Sequence, residues 1–128
     1  MTVRAIVIDD SSAMRMILRR IVTKFGFEVS EAVDGRDALE RLAAADPVPD
    51  VALVDWNMPE MNGLELIQAL RADPRYAAMT LLMVTTESEQ SQVVRALAAG
   101  AHEYLVKPFT PDALAEKLQL LGLVPARA

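Results

Sequence analysis

Four polar clusters in this chain each follow directly on a short apolar run. Asp9 and Asp10 follow Ala5–Ile8; Asp55, with Trp56 and Asn57, follows Val51–Val54; Thr85 and Thr86 follow Leu81–Val84; Lys107 and Pro108 follow Tyr104–Val106. Three carboxylates, a hydroxyl and an ammonium thus occupy equivalent places in a repeating pattern. Carboxylates about 5 Å apart repel by about 3 kcal/mol per pair at an effective dielectric of about 20. A crowd of three needs a cation or a proton. Oxygen ligands without His or Cys suit a hard ion that keeps several waters, so Mg²⁺ is the expected ion and Mn²⁺ the alternative. A carboxylate beside such an ion and a lysine can receive a phosphoryl group, since Asp is an established covalent acceptor. The ion and Lys107 would bind the phosphoryl oxygens, and positioning with electrostatics would supply most of the catalysis.

Taken singly, each residue has a plainer role. Asp9 or Asp10 could cap the next helix. Asp55 could open a turn, with Asn57 and Pro59 in support. Thr85 could continue a strand, and Lys107 could be a solvated charge. None of these roles explains why all five fall at one edge.

The elements that must position them are legible in the hydrophobic pattern. The four apolar runs are rich in Val, Ile and Leu with little alternation, as in strands buried on both faces of a parallel sheet. Glu28–Ala32 is a fifth, weaker run whose mixed polarity suits an edge strand. Between them lie amphipathic stretches. Ser12–Phe25 carries Met14, Ile17, Leu18, Ile21, Val22 and Phe25 on one stripe, with Ser11 or Ser12 as cap and Gly26 as stop. Further helices are expected over Gly35–Ala44, Leu64–Arg71, Glu89–Ala99 and Pro111–Leu120, the last with Thr110 as cap. Five βα units predict an α/β sheet with helices on both faces. In such sheets ligands bind outside the carboxyl ends of the strands, where the polar clusters fall.

Composition narrows the function. The chain has 128 residues, 52% hydrophobic and 24% charged, which suits one domain with a real core. A net charge of −5 argues against binding DNA through phosphate neutralisation. The absence of cysteine excludes disulfides, thiolate metal sites and a cysteine nucleophile. Asp9 and Asp10 interrupt the first apolar run after eight residues, too soon for a secretory signal. Tyr76–Thr86 lacks charge but has 11 residues, against about 20 for a membrane span. A cytoplasmic protein without membrane insertion is expected, with a tail from about residue 123 (Pro125–Ala128 above all) and no output domain.

At this point the residues match a family. Asp9-Asp10, the run Asp55-Trp56-Asn57-Met58-Pro59 closing at Gly63, Val84-Thr85, and Tyr104-Leu105-Val106-Lys107-Pro108-Phe109 occur in order over essentially the whole chain. The chain resembles the receiver domain of two-component response regulators, most closely the stand-alone chemotaxis type. The resemblance implies a single (βα)5 doubly wound domain with strand order 2-1-3-4-5. It implies that Asp55 is the phospho-acceptor. Asp10, Asp55 and the Asn57 backbone carbonyl would ligate Mg²⁺, with Asp9 acting through water. Lys107 would pair with the phosphoryl group and Thr85 would hydrogen-bond to it. Tyr104 would swing inward as Thr85 moves, Asn57 and Glu87 would tune dephosphorylation, and the Lys107–Pro108 bond would be cis. The donor would be a sensor histidine kinase. The target would be a protein such as a flagellar motor switch, met by a monomer through Val93, Val94, Tyr104 and Lys117. One departure is that Glu89 and Gln90 precede the fourth helix, where the enteric chemotaxis pattern is basic.

Other residues have simpler readings. Tyr104 can equally be a half-buried ring with a wet hydroxyl. Trp56 is a partly buried neighbour of the site, His102 lies away from the carboxyl edge, and the seven methionines are core filler. Arg15, Arg19 and Arg20 read as a solvated helix face, with kinase docking as the alternative. Two rival functions share the aspartyl-phosphate chemistry. One is a phosphorelay intermediate or phosphate sink serving a histidine phosphotransfer protein. The other is a haloacid-dehalogenase-type phosphatase, which wants an acid where Asn57 stands and Thr or Val where Pro59 stands. The expectation is a signalling domain that catalyses only its own phosphorylation and dephosphorylation.

Overall fold

The computed structural model describes residues 2–124. Its elements run β1 (Arg4–Ile8), α1 (Ser12–Lys24), β2 (Glu28–Ala32), α2 (Gly35–Ala44), β3 (Val51–Val54), α3 (Gly63–Ala72), β4 (Thr80–Thr85), α4 (Gln90–Ala99), β5 (Glu103–Val106) and α5 (Pro111–Leu120). A short 3₁₀ turn at Pro74–Tyr76, not foreseen from the sequence, follows α3. The five strands are all parallel and lie in the order β2-β1-β3-β4-β5. The mixed-polarity strand β2 stands at one edge, where one side of the ladder is unpaired.

Alternation along the strands splits the core in two. Ile6, Ile8, Ala52, Val54, Leu81 and Met83 face α2, α3 and α4, packing with Leu42, Leu66, Ile67 and Leu70. Ala5, Val7, Leu53, Leu82, Val84 and Leu105 face α1 and α5, packing with Leu18, Val22, Leu114 and Leu118. Both faces are covered, so the strands read as unbroken apolar runs. Full burial of each Leu or Ile contributes roughly 1.5–3 kcal/mol. Leu123 and Val124 still pack against the second cluster, so the tail expected from about residue 123 does not hold for those two. The part expected over Pro125–Ala128 lies outside the described residues.

Local chemistry sets the helix ends. Ser11 accepts from Met14 N–H, Asp34 from Asp37 N–H and Thr110 from Ala113 N–H, while Asn62 and Glu65 form a capping box on α3. Helix α4 starts after Glu89, which offers no side-chain cap. Gly100 ends α4 at φ 124°, and a Cβ there would collide with the Arg71 side chain.

Arg71 ties together the end of the sheet opposite the polar clusters. Its guanidinium donates to the carbonyls of Gly100, Tyr76, Ala77 and Met79. Beside it, His102 Nδ1 accepts the Leu81 N–H at 3.0 Å and lies 3.3 Å from Arg71 Nη2. Burial, then the Arg71 charge, hold the imidazole below its usual value of 6.5. The unfolded chain therefore binds this proton more readily. The stabilising contribution is full above the ordinary histidine value and is lost as pH falls through the lower folded one. His102→Asn retains an acceptor for Leu81 without the titration. Its melting temperature should match the parent at about pH 8 and exceed it at about pH 5, as followed by circular dichroism.

Candidate functional site

Strand register assembles the site. Ile8 pairs with Val54, so Asp9 and Asp55 lie side by side one residue past the ladder, and Asp55 N–H donates to the Ile8 carbonyl at 2.9 Å. Thr85 pairs with Val106, and the Lys107 N–H donates to the Thr85 carbonyl at 2.8 Å. The Lys107 side chain reaches across the end of β4. Its Nζ donates to Asp9 Oδ2 at 2.8 Å and lies 3.6 Å from Asp55 Oδ1. Asp9, Asp55 and Thr85 are buried and Asp10 is exposed. One carboxylate oxygen from each of Asp9, Asp10 and Asp55 lies within 4.8 Å of the others. All five residues that the sequence pattern singled out meet at one edge, and the Lys107–Pro108 bond is cis, as is Asp46–Pro47.

Burial first, then the Asp9 charge, push the Asp55 carboxyl above its ordinary value; Lys107 and the Thr85 hydroxyl oppose the shift. Negative charge on Asp55 is therefore under-compensated by the protein alone. The all-oxygen donor set, its close spacing and this excess of negative charge fit a hard divalent cation such as Mg²⁺. A carboxylate whose folded value is raised opposes folding once pH has risen past that value. Asp55→Asn should therefore raise the melting temperature by a few degrees at neutral pH in chelator, by scanning calorimetry.

Further hydrogen bonds run outward from the cup through Glu87. Asn57 Nδ2 donates to Glu87 Oε1 at 3.1 Å, and Glu87 N–H donates to Thr85 Oγ1 at 3.3 Å. The Tyr104 hydroxyl donates to the Glu87 carbonyl at 2.6 Å. The Tyr104 ring is buried and the hydroxyl has a protein partner, which corrects the picture of a half-buried ring with a wet hydroxyl. Burial, then the charges of Glu87 and Asp55, push its phenol up to about 12. Trp56 is buried, with the Arg95 guanidinium 5.7 Å from its ring centroid. Gly63 N–H donates to the Trp56 carbonyl at 2.8 Å, and a Cβ at Gly63 would collide with the Asp55 carbonyl. Gly63→Ala should destabilise by about 1–3 kcal/mol through this overpacking. A shift of the urea midpoint with an unchanged slope would register it.

The remaining candidates are placed less evenly. Of the expected partner face, Val94 is 56% exposed, but Val93 packs partly against the core and Tyr104 points inward. Lys117 Nζ donates to Glu103 Oε1 at 2.9 Å. Leu97, Val106 and Leu120, which the sequence reading did not single out, are exposed apolar residues on α4, β5 and α5. His102 is at the far end of the sheet, as expected. Met58, Met79 and Met83 are buried filler, whereas Met16 is 53% exposed on α1. The solvated-face reading fails for Arg15. Its side chain is only 14% exposed and bonds to the Asp9 carbonyl and to Glu31. The missed signal was acidic Glu31 on the edge strand, facing a basic helix.

The chain belongs to the response regulator receiver family: residues 5–119 match the model of the response regulator receiver domain. Within that family it is similar to CheY chemotaxis proteins. It is 47% identical over 120 residues to chemotaxis protein CheY1 of Helicobacter pylori strain J99, covering 92% of this chain and 95% of that protein. Identity to the chemotaxis protein CheY homolog of Campylobacter jejuni strain 81-176 is 47% over 117 residues, covering 91% of this chain and 89% of that one. The solved structure of chemotaxis response regulator CheY4 of Vibrio cholerae has a TM-score of 0.87 at 36% identity, over 94% of this chain and 99% of that one. Among the described residues no helix is long and apolar enough to cross a membrane.

Proposed function

We propose that this chain is a cytoplasmic receiver that takes a phosphoryl group on Asp55 from a histidine kinase and passes the signal, as a monomer, to a flagellar motor switch protein. The observation that carries the reading is Lys107 held against Asp9 and Asp55 beside three carboxylate oxygens within 4.8 Å of one another. Asp10, Asp55 and the Asn57 backbone carbonyl would hold Mg²⁺, with Asp9 acting through water. When bound, the ion offsets the negative charge that phosphoryl oxygens bring to the cup.

The chain's own residues do the rest. An Asp55 carboxylate oxygen attacks the phosphorus of a phosphohistidine. The new P–O bond forms as the P–N bond breaks, and the leaving imidazole nitrogen takes up a proton. Lys107 transfers its ammonium from the carboxylates to a phosphoryl oxygen, and the Thr85 hydroxyl donates to another. The phosphoryl group adds roughly −1.5 to −2 charge at this edge. It shifts the protein between states only through its differential contacts with them. Thr85, Glu87 and Tyr104 are linked by the two bonds to Glu87, so a move of Thr85 is felt at the α4–β5–α5 face. Asn57, bonded to the Glu87 carboxylate, stands where it would tune access of water to the acyl phosphate. Val94, Leu97 and Val106 supply apolar contact on that face, with Lys117 at its border.

The test is beryllofluoride with Mg²⁺ as a phosphoryl mimic, followed by Trp56 emission and by binding of a motor-switch peptide. Activation should raise peptide affinity about ten-fold, a differential of about 1.4 kcal/mol. Lys107→Ala should lose that gain. Unchanged peptide affinity on activation would exclude the motor target, and transfer of label to a histidine phosphotransfer domain would establish the phosphate-sink alternative.

A further inference from the structure

Arg15 touches none of the three carboxylates by its side chain, yet it is built into their support. Its Nη1 donates to the backbone carbonyl of Asp9 at 2.7 Å, and its Nε donates to Glu31 Oε1 at 3.1 Å. Glu31, on β2, also accepts from Arg19 Nη1 at 2.8 Å. The Asp9 carbonyl belongs to the peptide unit joining Asp9 to Asp10. That unit is planar, so a grip on its oxygen sets the direction in which the backbone carries Asp10.

Asp9 is secured at three other points. Its N–H donates to the Ala32 carbonyl at 3.2 Å, its Oδ1 accepts from Ser11 N–H at 2.9 Å, and its Oδ2 accepts from Lys107 at 2.8 Å. Asp10 is different. It is exposed, and its carboxylate makes no hydrogen bond among the described residues. The backbone that Arg15 holds is its main restraint.

We propose that Arg15, anchored on Glu31, is a positioning residue that aims the Asp10 carboxylate into the cation site by gripping the Asp9–Asp10 peptide oxygen. The inference rests on the reading of Asp9, Asp10 and Asp55 as a Mg²⁺ site. Two effects of Arg15 oppose each other. As a bare charge near three carboxylates it would weaken cation binding. As a support it strengthens binding by removing freedom from a ligand. Glu31 lies 3.1 Å from Arg15 and compensates its charge locally, whereas nothing else among the described residues replaces the grip on the carbonyl. The support wins.

The two effects predict opposite signs, which makes the test sharp. Mg²⁺ is titrated against the full chain by Trp56 emission, and Mn²⁺ by electron paramagnetic resonance of the free ion. Arg15→Lys keeps the charge but cannot hold both partners; Arg15→Gln removes the charge as well. Both should bind the ion about ten-fold more weakly, the low end of what loss of a ligand's outer support costs. Arg71→Gln, at the opposite end of the sheet, controls for lost stability and should keep the parent's affinity. Tighter binding by Arg15→Gln, parental binding by Arg15→Lys, or an equal loss in Arg71→Gln would each overturn the proposal while leaving the cation site standing. A parent chain that binds neither ion would overturn the site reading and the inference together.

Discussion

The structure turns on negative charge crowded by strand register. Adjacent parallel strands β1 and β3 end level, so the residues after them, Asp9 and Asp55, are forced together whatever their mutual repulsion. At an effective dielectric of about 20 that repulsion is about 3 kcal/mol at 5 Å. The fold answers it with Lys107, whose ammonium lies against both carboxylates from the far side of β4. One cation against three acids leaves a deficit, and burial first, then the Asp9 charge, raise the proton affinity of Asp55. On the proposed reading, that deficit makes the edge receptive to a divalent ion and the Lys107 contacts exchangeable. On that reading, a permanently neutralised cup would have no reason to rearrange when a phosphoryl group arrives.

Rearrangement matters only if something distant feels it. Glu87 is where the local contacts converge: its N–H bonds to Thr85, its carboxylate accepts from Asn57, and its carbonyl accepts from Tyr104. On the proposed reading these bonds are the physical link between the cup and the face formed by α4, β5 and α5. The apolar side chains exposed there stand on elements that also line the core, so a shift of packing below alters what is presented above. The support on the other side of the cup, from Arg15 and Glu31, belongs to α1 and β2 and is separate from that route.

Much of this was legible in the sequence. Strands buried on both faces leave an uninterrupted apolar signature, and the polar residues at their ends are conspicuous against it. All five helices and five strands therefore fell within a residue or so of their observed bounds. The gathering of the carboxylates and Lys107 at one edge followed because parallel strands that end level bring their next residues together. Side-chain detail did not follow. Arg15 reads as a surface arginine until β2 places Glu31 beside it, and Tyr104 reads as half-exposed until the Glu87 carbonyl is brought within 2.6 Å. Both depend on pairs distant in sequence, which periodicity does not encode. The exposure of the residues expected to meet a partner was not legible, because Val93 and Val94 are neighbours in sequence but differ in burial on the helix.

The central claim is that Asp55 accepts a phosphoryl group in an ion-dependent way. Incubation of the chain with acetyl phosphate, with Mg²⁺ or with chelator, followed by borohydride reduction and peptide mass spectrometry, addresses it directly. The account predicts that position 55 alone is converted to homoserine, and only when Mg²⁺ is present. Reduction at another carboxylate, or none at all with Mg²⁺ in excess, would contradict it.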